Sequence, residues 1–148
     1  MTAIYVDADA CPVREEVLGV AERHRTSVIY VTNGGIRPVR HPLASVVVVD
    51  EGADAADRWI AERIGAGDVC VTADVPLAAR CVEKGARALA PDGAPFTGRN
   101  VGERLATRDL MADLRAADPF RKGGGRPFRP ADRAQFKDAL ERMLRAGG

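Results

Sequence analysis

The chain has 148 residues, of which 46% are hydrophobic and 29% are charged, and its formal net charge at pH 7 is +1. This length suits one domain with its own core, and the composition is ordinary for a globular protein without a membrane-spanning segment. The N-terminus lacks the features of a signal peptide, and the three cysteines have no zinc-like spacing. Cys11 lies near a predicted helix start, where a thiol pKa can fall, but no histidine is near it in the sequence and we interpret it as structural. We therefore expect a single cytoplasmic domain over residues 1–148, with reduced thiols and no membrane association.

Short apolar runs alternate with helical patterns over the first two thirds of the chain. Residues 3–7 predict a first strand, and a helix follows Pro12, which suits a first helical turn. Because strands separated by helices form βαβ units, we expect an α/β fold with a mostly parallel sheet of four to five strands. The remaining elements predicted in this part are strands over residues 28–31, 45–49, 69–71 and 87–90, and helices over residues 53–64 and 76–84.

The last third of the chain departs from this alternation. It predicts helices over residues 100–114 and 130–145, joined by a flexible linker over residues 118–130 that is rich in Gly, Pro and Arg. The formal charge is −4 over residues 1–98 and +5 over residues 99–148. A basic surface beside an acidic site suits a polyanion, although arginines on the solvated faces of helices would give the same asymmetry.

Carboxylates cluster where the predicted strands end. The carboxyl ends of parallel strands share one edge of a sheet, and a crevice opens there if the first and fourth strands are neighbours. Carboxylates this close repel one another unless a cation such as Mg²⁺ or Mn²⁺ neutralises them. We therefore predict a metal site that could activate water against a phosphodiester. Its expected ligands are Asp7 and Asp9 after the first strand, Asp54 and Asp57 in the helix after the third, and Asp74 after the fourth.

Each of these acids except Asp7 also has a structural explanation. Asp54 and Asp57, near a helix start, would favour the helix macrodipole. Asp74 and Asp9 would each cap the helix that follows. Asp7 caps nothing obvious and directly follows a buried strand, so a functional site explains it best.

Three motifs carry a resemblance to a known family. They are Asp-Ala-Asp-Ala-Cys-Pro-Val from Asp7, Val-Thr-Ala-Asp-Val-Pro-Leu-Ala from Val71, and the Gly-rich, Pro-Phe and Asp-Arg-x-x-Phe elements between Gly124 and Phe136. Together they resemble the YaiI/YqxD family of uncharacterised bacterial proteins, which is grouped with the PIN-like nucleases, and the resemblance spans essentially the whole chain. It implies a three-layer α/β/α sandwich with additional C-terminal helices. It also implies cleavage of RNA or other nucleic acid by clustered acids with Mg²⁺ or Mn²⁺.

The resemblance assigns roles to particular residues. Asp7 corresponds to the first-strand acid of the PIN-like pattern, Asp74 to the acid after the fourth strand, and Asp54 or Asp57 to the mid-chain acid. We take Asp7, Asp57 and Asp74 as the catalytic candidates. Many PIN domains carry a further acid just after the fourth-strand acid, where this chain has none, and Asp9 is the candidate to replace it.

The basic C-terminal third predicts a nucleic-acid surface. Guanidinium groups bind phosphate bidentately, and an aromatic ring such as Phe128 stacks on bases. The alternative is that the Gly- and Pro-rich segment is only a loose tether to a packing helix. A homodimer is compatible with the sequence, which does not reveal the oligomeric state. The residues expected to contact nucleic acid, RNA in particular, are Asn33, Arg108, Arg121, Lys122, Arg126 and Arg129.

Two other functions fit parts of the same pattern. A haloacid-dehalogenase-like phosphatase would use Asp7 as nucleophile and Asp9 as general acid. Cys11 replaces the Thr or Val expected in that motif and no lysine precedes Asp74, so this alternative is weaker. The other is a non-catalytic RNA-binding module that keeps the basic surface and has a degenerate acidic site.

Overall fold

The computed structural model describes residues 2–50, 52, 54–117 and 127–147 of the chain. Most of the predicted linker lies outside these residues, as do three predicted nucleic-acid contacts, Arg121, Lys122 and Arg126. None of the helices in the described part of the chain has the length and apolarity needed to cross a membrane. The strands are β1 (Ala3–Asp7), β2 (Ser27–Thr32), β3 (Ala44–Val48), β4 (Val69–Val71), β5 (Arg87–Leu89) and β6 (Pro95–Phe96), and the helices are α1 (Arg14–His24), α2 (Ala55–Arg63), α3 (Val75–Glu83), α4 (Asn100–Ala117) and α5 (Pro130–Gly147).

The six strands form one sheet in the order β3-β2-β1-β4-β5-β6. Strands β1 to β5 are parallel, and β6 pairs antiparallel with β5. The mostly parallel sheet is therefore confirmed, with β6 as an additional strand whose two residues are too few to produce a recognisable pattern. The chain runs outward from β1 through β2 to β3 and returns to β4 on the other side of β1. The expected pairing of the first and fourth strands is thus confirmed, and it opens a crevice at their carboxyl ends.

Helices cover both faces of the sheet, as a three-layer sandwich requires. On one face, α1 and α5 bury Val17 and Phe136 in the same apolar cluster. On the other face, α2, α3 and α4 contribute Ile60, Leu77 and Val101 to a second cluster. The sheet is therefore shielded on both sides, which explains why its central strands are apolar throughout.

The alternation of side chains along β1 decides where its terminal acid points. Ile4 and Val6 belong to the cluster with α1 and α5, whereas Tyr5 belongs to the cluster with α2 and α3. Because successive side chains of a strand face opposite sides, Asp7 lies on the same side as Tyr5. This side is also the one from which α2 and α3 present Asp57 and Asp74.

Helix α5 is joined to α1 by ion pairs as well as by apolar contact. Arg133 donates to Glu16 at 2.8 Å, and Glu141 lies 2.8 Å from Arg23 and 2.9 Å from His24. The carboxylates of these pairs are largely buried and the arginines half-exposed, and ion pairs that remain in contact with water contribute only modestly to stability. The apolar side chains of α5 therefore hold it against the sheet.

Replacing Phe136 by Ala should remove the largest apolar contact of α5. The Phe136 side chain is 0% exposed, and truncating a buried Phe lowers the free energy of unfolding by about 3–5 kcal/mol. Urea denaturation followed by circular dichroism measures the change. The matched control is Lys137→Ala on the exposed side of α5, which should change the free energy by less than about 0.5 kcal/mol. Equal stability of the two variants would show that α5 is not packed as described.

Candidate functional site

One buried hydroxyl group connects Asp7 to Asp74. Thr72 directly follows β4, is 1% exposed, and donates its hydroxyl hydrogen to Asp7 Oδ2 at 3.0 Å. The same hydroxyl oxygen accepts from the backbone N–H of Asp74 at 2.9 Å. Asp74 in turn caps α3, since its Oδ1 accepts from the backbone N–H of Leu77 at 2.9 Å, as expected from the sequence. Thr72 therefore fixes both the Asp7 carboxylate and the start of the helix that carries Asp74.

A second buried threonine holds Asp9 on the other side of β1. Asp9 lies in a short 3-10 turn, and its Oδ1 accepts from the hydroxyl of Thr32, the last residue of β2. Its Oδ2 accepts from the backbone N–H of Asn33 at 3.0 Å. The alternative role of Asp9 as a cap of α1 is wrong, because both of its oxygens bond to the end of β2. Asn33, predicted to contact nucleic acid, is exposed and takes part in this turn.

The two acids of α2 face different surroundings. Asp54 occupies the N-cap position without making a side-chain cap, its side chain is 66% exposed, and it pairs with Arg58 at 3.7 Å. Asp57 is half-buried on the side of α2 that faces β1 and α3. Burial, followed by the negative charges of Asp74 and Asp7, raises the pKa of Asp57 to about 6. The structure thus brings Asp57, but not Asp54, into an interaction with the acids of β1 and α3.

Burial and like charge act on Asp7 in the same way. Burial raises the pKa of Asp7, the hydrogen bond from Thr72 opposes this, and the charges of Asp74 and Asp9 raise it further. Asp7, Asp57 and Asp74 therefore share one electrostatic environment, which disfavours three negative charges at once. Among the described residues, no three His, Cys, Asp or Glu side chains are close enough together to form a ready-made metal site. The three acids are neighbours that repel one another and not a closed ligand cage.

Asp7 and Asp74 border a cavity of about 400 Å³ at the carboxyl ends of β1 and β4, whereas Asp57 is not among its lining residues. Asp7, Thr72, Asp74 and Cys11 line it. Cys11 is 8% exposed, and burial raises the pKa of its thiol to about 11. The low thiol pKa typical of a helix start does not occur here, so Cys11 remains a neutral thiol that packs against the site.

A larger groove of about 620 Å³ adjoins this cavity and shares Pro91 with it. The Arg104 guanidinium lies in the groove, 4.5 Å from the centre of the Phe96 ring. Phe128 also lines the groove, is 36% exposed, and has the Arg133 guanidinium 5.1 Å from its ring centre. Arg129, predicted to bind phosphate, instead pairs with the buried Asp132 at 3.3 Å. The groove beside the acidic cavity therefore combines apolar surfaces, the Arg104 guanidinium and two carboxylates, those of Asp92 and Asp132.

Sequence reasoning gave Thr72 no role and did not connect Thr32 with Asp9. Thr32 is the last residue of β2, and Thr72 directly follows β4. In each case the backbone N–H two residues later, that of Gly34 or Asp74, donates to the threonine hydroxyl. Thr followed by a turn is a recognisable local pattern. Which carboxylate each hydroxyl would reach depends on the order of the strands. Arg108, a further predicted contact, lies in α4, and its side chain is outside the described part of the structure.

Comparison with known proteins gives a family match over nearly the whole chain. The sequence model of the family described as "Uncharacterized BCR, YaiI/YqxD family" matches residues 5–146. A UPF0178 protein of Ruegeria pomeroyi is 61% identical over 147 residues, covering 99% of this chain and 96% of that protein. UPF0178 proteins of Roseobacter denitrificans and Rhodopseudomonas palustris are 59% and 54% identical over 145 residues, covering 98% of this chain and 96% and 91% of their own lengths. No solved structure matches the chain.

Replacing Thr72 by Val should loosen the site while keeping the shape of the side chain. The variant leaves the Asp74 N–H without its acceptor and Asp7 without its donor, which should lower the free energy of unfolding by about 1–3 kcal/mol. It should also raise the pKa of Asp7, because the Thr72 hydrogen bond lowers it. Urea denaturation and carboxyl-detected NMR titration measure the two effects. Thr72→Ser keeps the hydroxyl and should retain the wild-type pKa, and an equal shift in both variants would contradict the assignment.

Replacing Asp57 by Asn should remove a pH dependence of stability. The pKa of Asp57 is about 6 in the folded protein and 3.8 in its ordinary state. Between these values the folded protein binds a proton that the unfolded chain has lost, so the free energy of unfolding falls as the pH rises. In metal-free buffer, Asp57→Asn should therefore melt at a higher temperature than the wild type above about pH 6 and at the same temperature below about pH 4. Thermal melts across this range measure the difference, and a variant no more stable than the wild type above about pH 6 would show that burial and neighbouring charge do not raise the pKa of Asp57.

Proposed function

The chain belongs to the YaiI/YqxD family of bacterial proteins, and we propose that it is a metal-dependent nuclease that hydrolyses phosphodiester bonds of RNA. The observation that carries this proposal is the shared environment of Asp7, Asp57 and Asp74 at the crevice between β1 and β4. Burial and neighbouring carboxylates raise the pKa values of Asp7 and Asp57, and perturbed acids of this kind are characteristic of functional sites. The carboxyl edge of a parallel sheet, where the strand order reverses, is also where α/β proteins bind their ligands.

A divalent cation, Mg²⁺ or Mn²⁺, is the group that these acids fit. Among the described residues, no donor bonds to Asp7 Oδ1 or Asp74 Oδ2, and Asp57 lies beside them. Mg²⁺ in proteins usually takes one or two carboxylates and completes its shell with water, so a closed cage of ligands is not required. Once bound, the cation would activate water and neutralise charge on the phosphate.

The chain's own residues would orient and move the reacting groups. Thr72 holds Asp7 Oδ2, and because Asp7 lines the cavity, Oδ1 would be the oxygen available to a ligand there. Asp57, with a pKa of about 6, is suited to take up the proton of an attacking water near neutral pH. Asp74 is held by the cap of α3, so its position depends on a helix rather than on a loop.

The groove beside the cavity favours a nucleic acid over a small phosphate ester. The Phe128 ring is partly exposed, with the Arg133 guanidinium 5.1 Å from its centre, so a base could stack on its remaining face, and Arg104 offers a guanidinium group for a phosphate. A strand with a phosphate at the acids would place a neighbouring nucleotide in this groove. A phosphate monoester would leave the groove empty.

The phosphatase alternative is less well supported by the geometry. Its general acid would have to face the same phosphate as Asp7. Asp9 instead directs both carboxylate oxygens to Thr32 and Asn33 at the end of β2. The proposed nuclease mechanism requires Asp7, Asp57 and Asp74 only, so Asp9 can keep its hydrogen bonds to Thr32 and Asn33.

Cleavage of a short single-stranded RNA, with and without Mn²⁺, tests the proposal. Asp7→Asn and Asp74→Asn should each lose activity by more than the ~10–100-fold that follows loss of an outer-shell partner, because each removes a direct ligand. Asp54→Asn is the matched control, since its side chain is 66% exposed and pairs with Arg58, and it should retain activity.

Isothermal titration with Mn²⁺ provides the second measurement. Wild type and Asp54→Asn should bind the ion, and Asp7→Asn should bind it at least about 10-fold more weakly. Metal-independent cleavage, or equal activity in wild type and Asp7→Asn, would rule out the proposed mechanism. RNA binding without cleavage at any metal concentration would favour the non-catalytic binding module.

A further inference from the structure

A second pocket, of about 540 Å³, lies between the start of α1 and the segment 33–43 that joins β2 to β3. Arg14, Arg37 and Arg40 line it, together with Tyr30 and Glu15. We propose that this pocket binds a phosphate group of a single-stranded nucleic acid and forms an anchoring site separate from the carboxylates. The choice of a nucleic acid as the ligand rests on the proposed function, whereas the existence of the pocket is independent of it.

The walls of this arginine pocket are held in place by the core. Ile36 and Val39 of the joining segment pack against the apolar cluster under α1. Tyr30 is 1% exposed, and its hydroxyl donates to the backbone carbonyl of Arg14 at 2.8 Å. The segment and the first turn of α1 are therefore fixed relative to one another. A preformed pocket of this kind loses little conformational entropy when it binds a ligand.

The charge of the pocket calls for an anion. Arg14, Arg37 and Arg40 form no ion pair with any residue that the structure describes. Glu15 is the one acid among the lining residues, so the pocket is net positive. Guanidinium groups are weakly hydrated and match the oxygens of a phosphate with two parallel hydrogen bonds. Several arginines around one concave space are therefore best satisfied by a phosphate.

The arginine pocket and the carboxylate cavity share no lining residue, but both lie at the edge of the sheet where β1 and β2 end. Cys11 lines the cavity, and Arg14 lines the pocket one short segment further along the chain. Strand β2 ends beside the pocket, and its neighbour β1 ends at Asp7. An extended strand with one phosphate at Asp7 can thus place a later phosphate among the arginines. This arrangement would fix the direction in which the strand crosses the acids.

The experiment compares two charge-matched double variants. Arg37→Gln/Arg40→Gln removes two exposed guanidinium groups from the pocket. Lys137→Gln/Arg142→Gln removes two exposed charges from α5, away from the pocket, and serves as the control. Binding of a fluorescent single-stranded RNA is measured by anisotropy in EDTA, where cleavage does not interfere. A salt titration is included because each phosphate contact contributes about 0.7 to the slope of log affinity against log salt.

The pocket variant should bind this RNA about 10-fold more weakly than the control, with a salt slope smaller in magnitude by about 0.7, as the loss of one phosphate contact requires. A second titration with adenosine monophosphate and with inorganic phosphate separates the sources of the phosphate. If only these small ligands lose affinity in the pocket variant, the site takes a free phosphate ester, and the assignment to a strand is overturned. If wild type binds none of the three probes, or if both double variants match wild type for all three, the whole inference is overturned.

The two proposals can fail separately. Loss of RNA binding in the pocket variant, together with no cleavage by wild type at any metal concentration, would leave the arginine site standing and remove the nuclease. Cleavage that requires Asp7, together with unchanged RNA affinity in the pocket variant, would support the nuclease and overturn the arginine site.

Discussion

The bond between Thr72 and Asp7 is the constraint on which the rest of the site depends. A carboxylate at the end of a buried strand loses solvation, and this loss is tolerated only if a donor replaces part of the water. Thr72 supplies that donor from the neighbouring strand, and the same oxygen accepts from the N–H of Asp74. One hydroxyl thereby joins β1, β4 and α3. The position of either acid cannot change without disturbing the other.

Four of the predicted metal ligands divide into two groups by the residues that surround them. Asp9 and Asp54 are compensated within the protein, the first by the end of β2 and the second by Arg58. Asp7 and Asp57 are instead raised in pKa by burial and by neighbouring carboxylates. The fold therefore leaves the negative charges of Asp7 and Asp57 without a salt bridge to an arginine among the described residues. Sites that act on charged ligands commonly retain such an imbalance.

The reversal of strand order at β1 generates two different surfaces from one edge of the sheet. Toward β4, the crevice contains acids and continues into a groove with Arg104 and Phe128. Toward β2, the joining segment and α1 enclose a pocket lined by arginines. Under the proposed function, a polyanion that crosses this edge would meet the carboxylates on one side and guanidinium groups on the other. The two surfaces differ in charge because they lie on opposite sides of the same strand.

The sequence by itself determined the elements and the edge of the sheet at which the acids lie. Apolar runs and helical spacing located the five parallel strands and the five helices, because those patterns are local. It missed β6, which has two residues, and it could not choose between Asp54 and Asp57 or find the partner of Asp9. Those choices depend on which strand lies beside β1 and on the face of α2 that turns inward. Only the tertiary structure decided them, because they arise from contacts between residues far apart in the chain, such as Thr72 with Asp7 and Thr32 with Asp9.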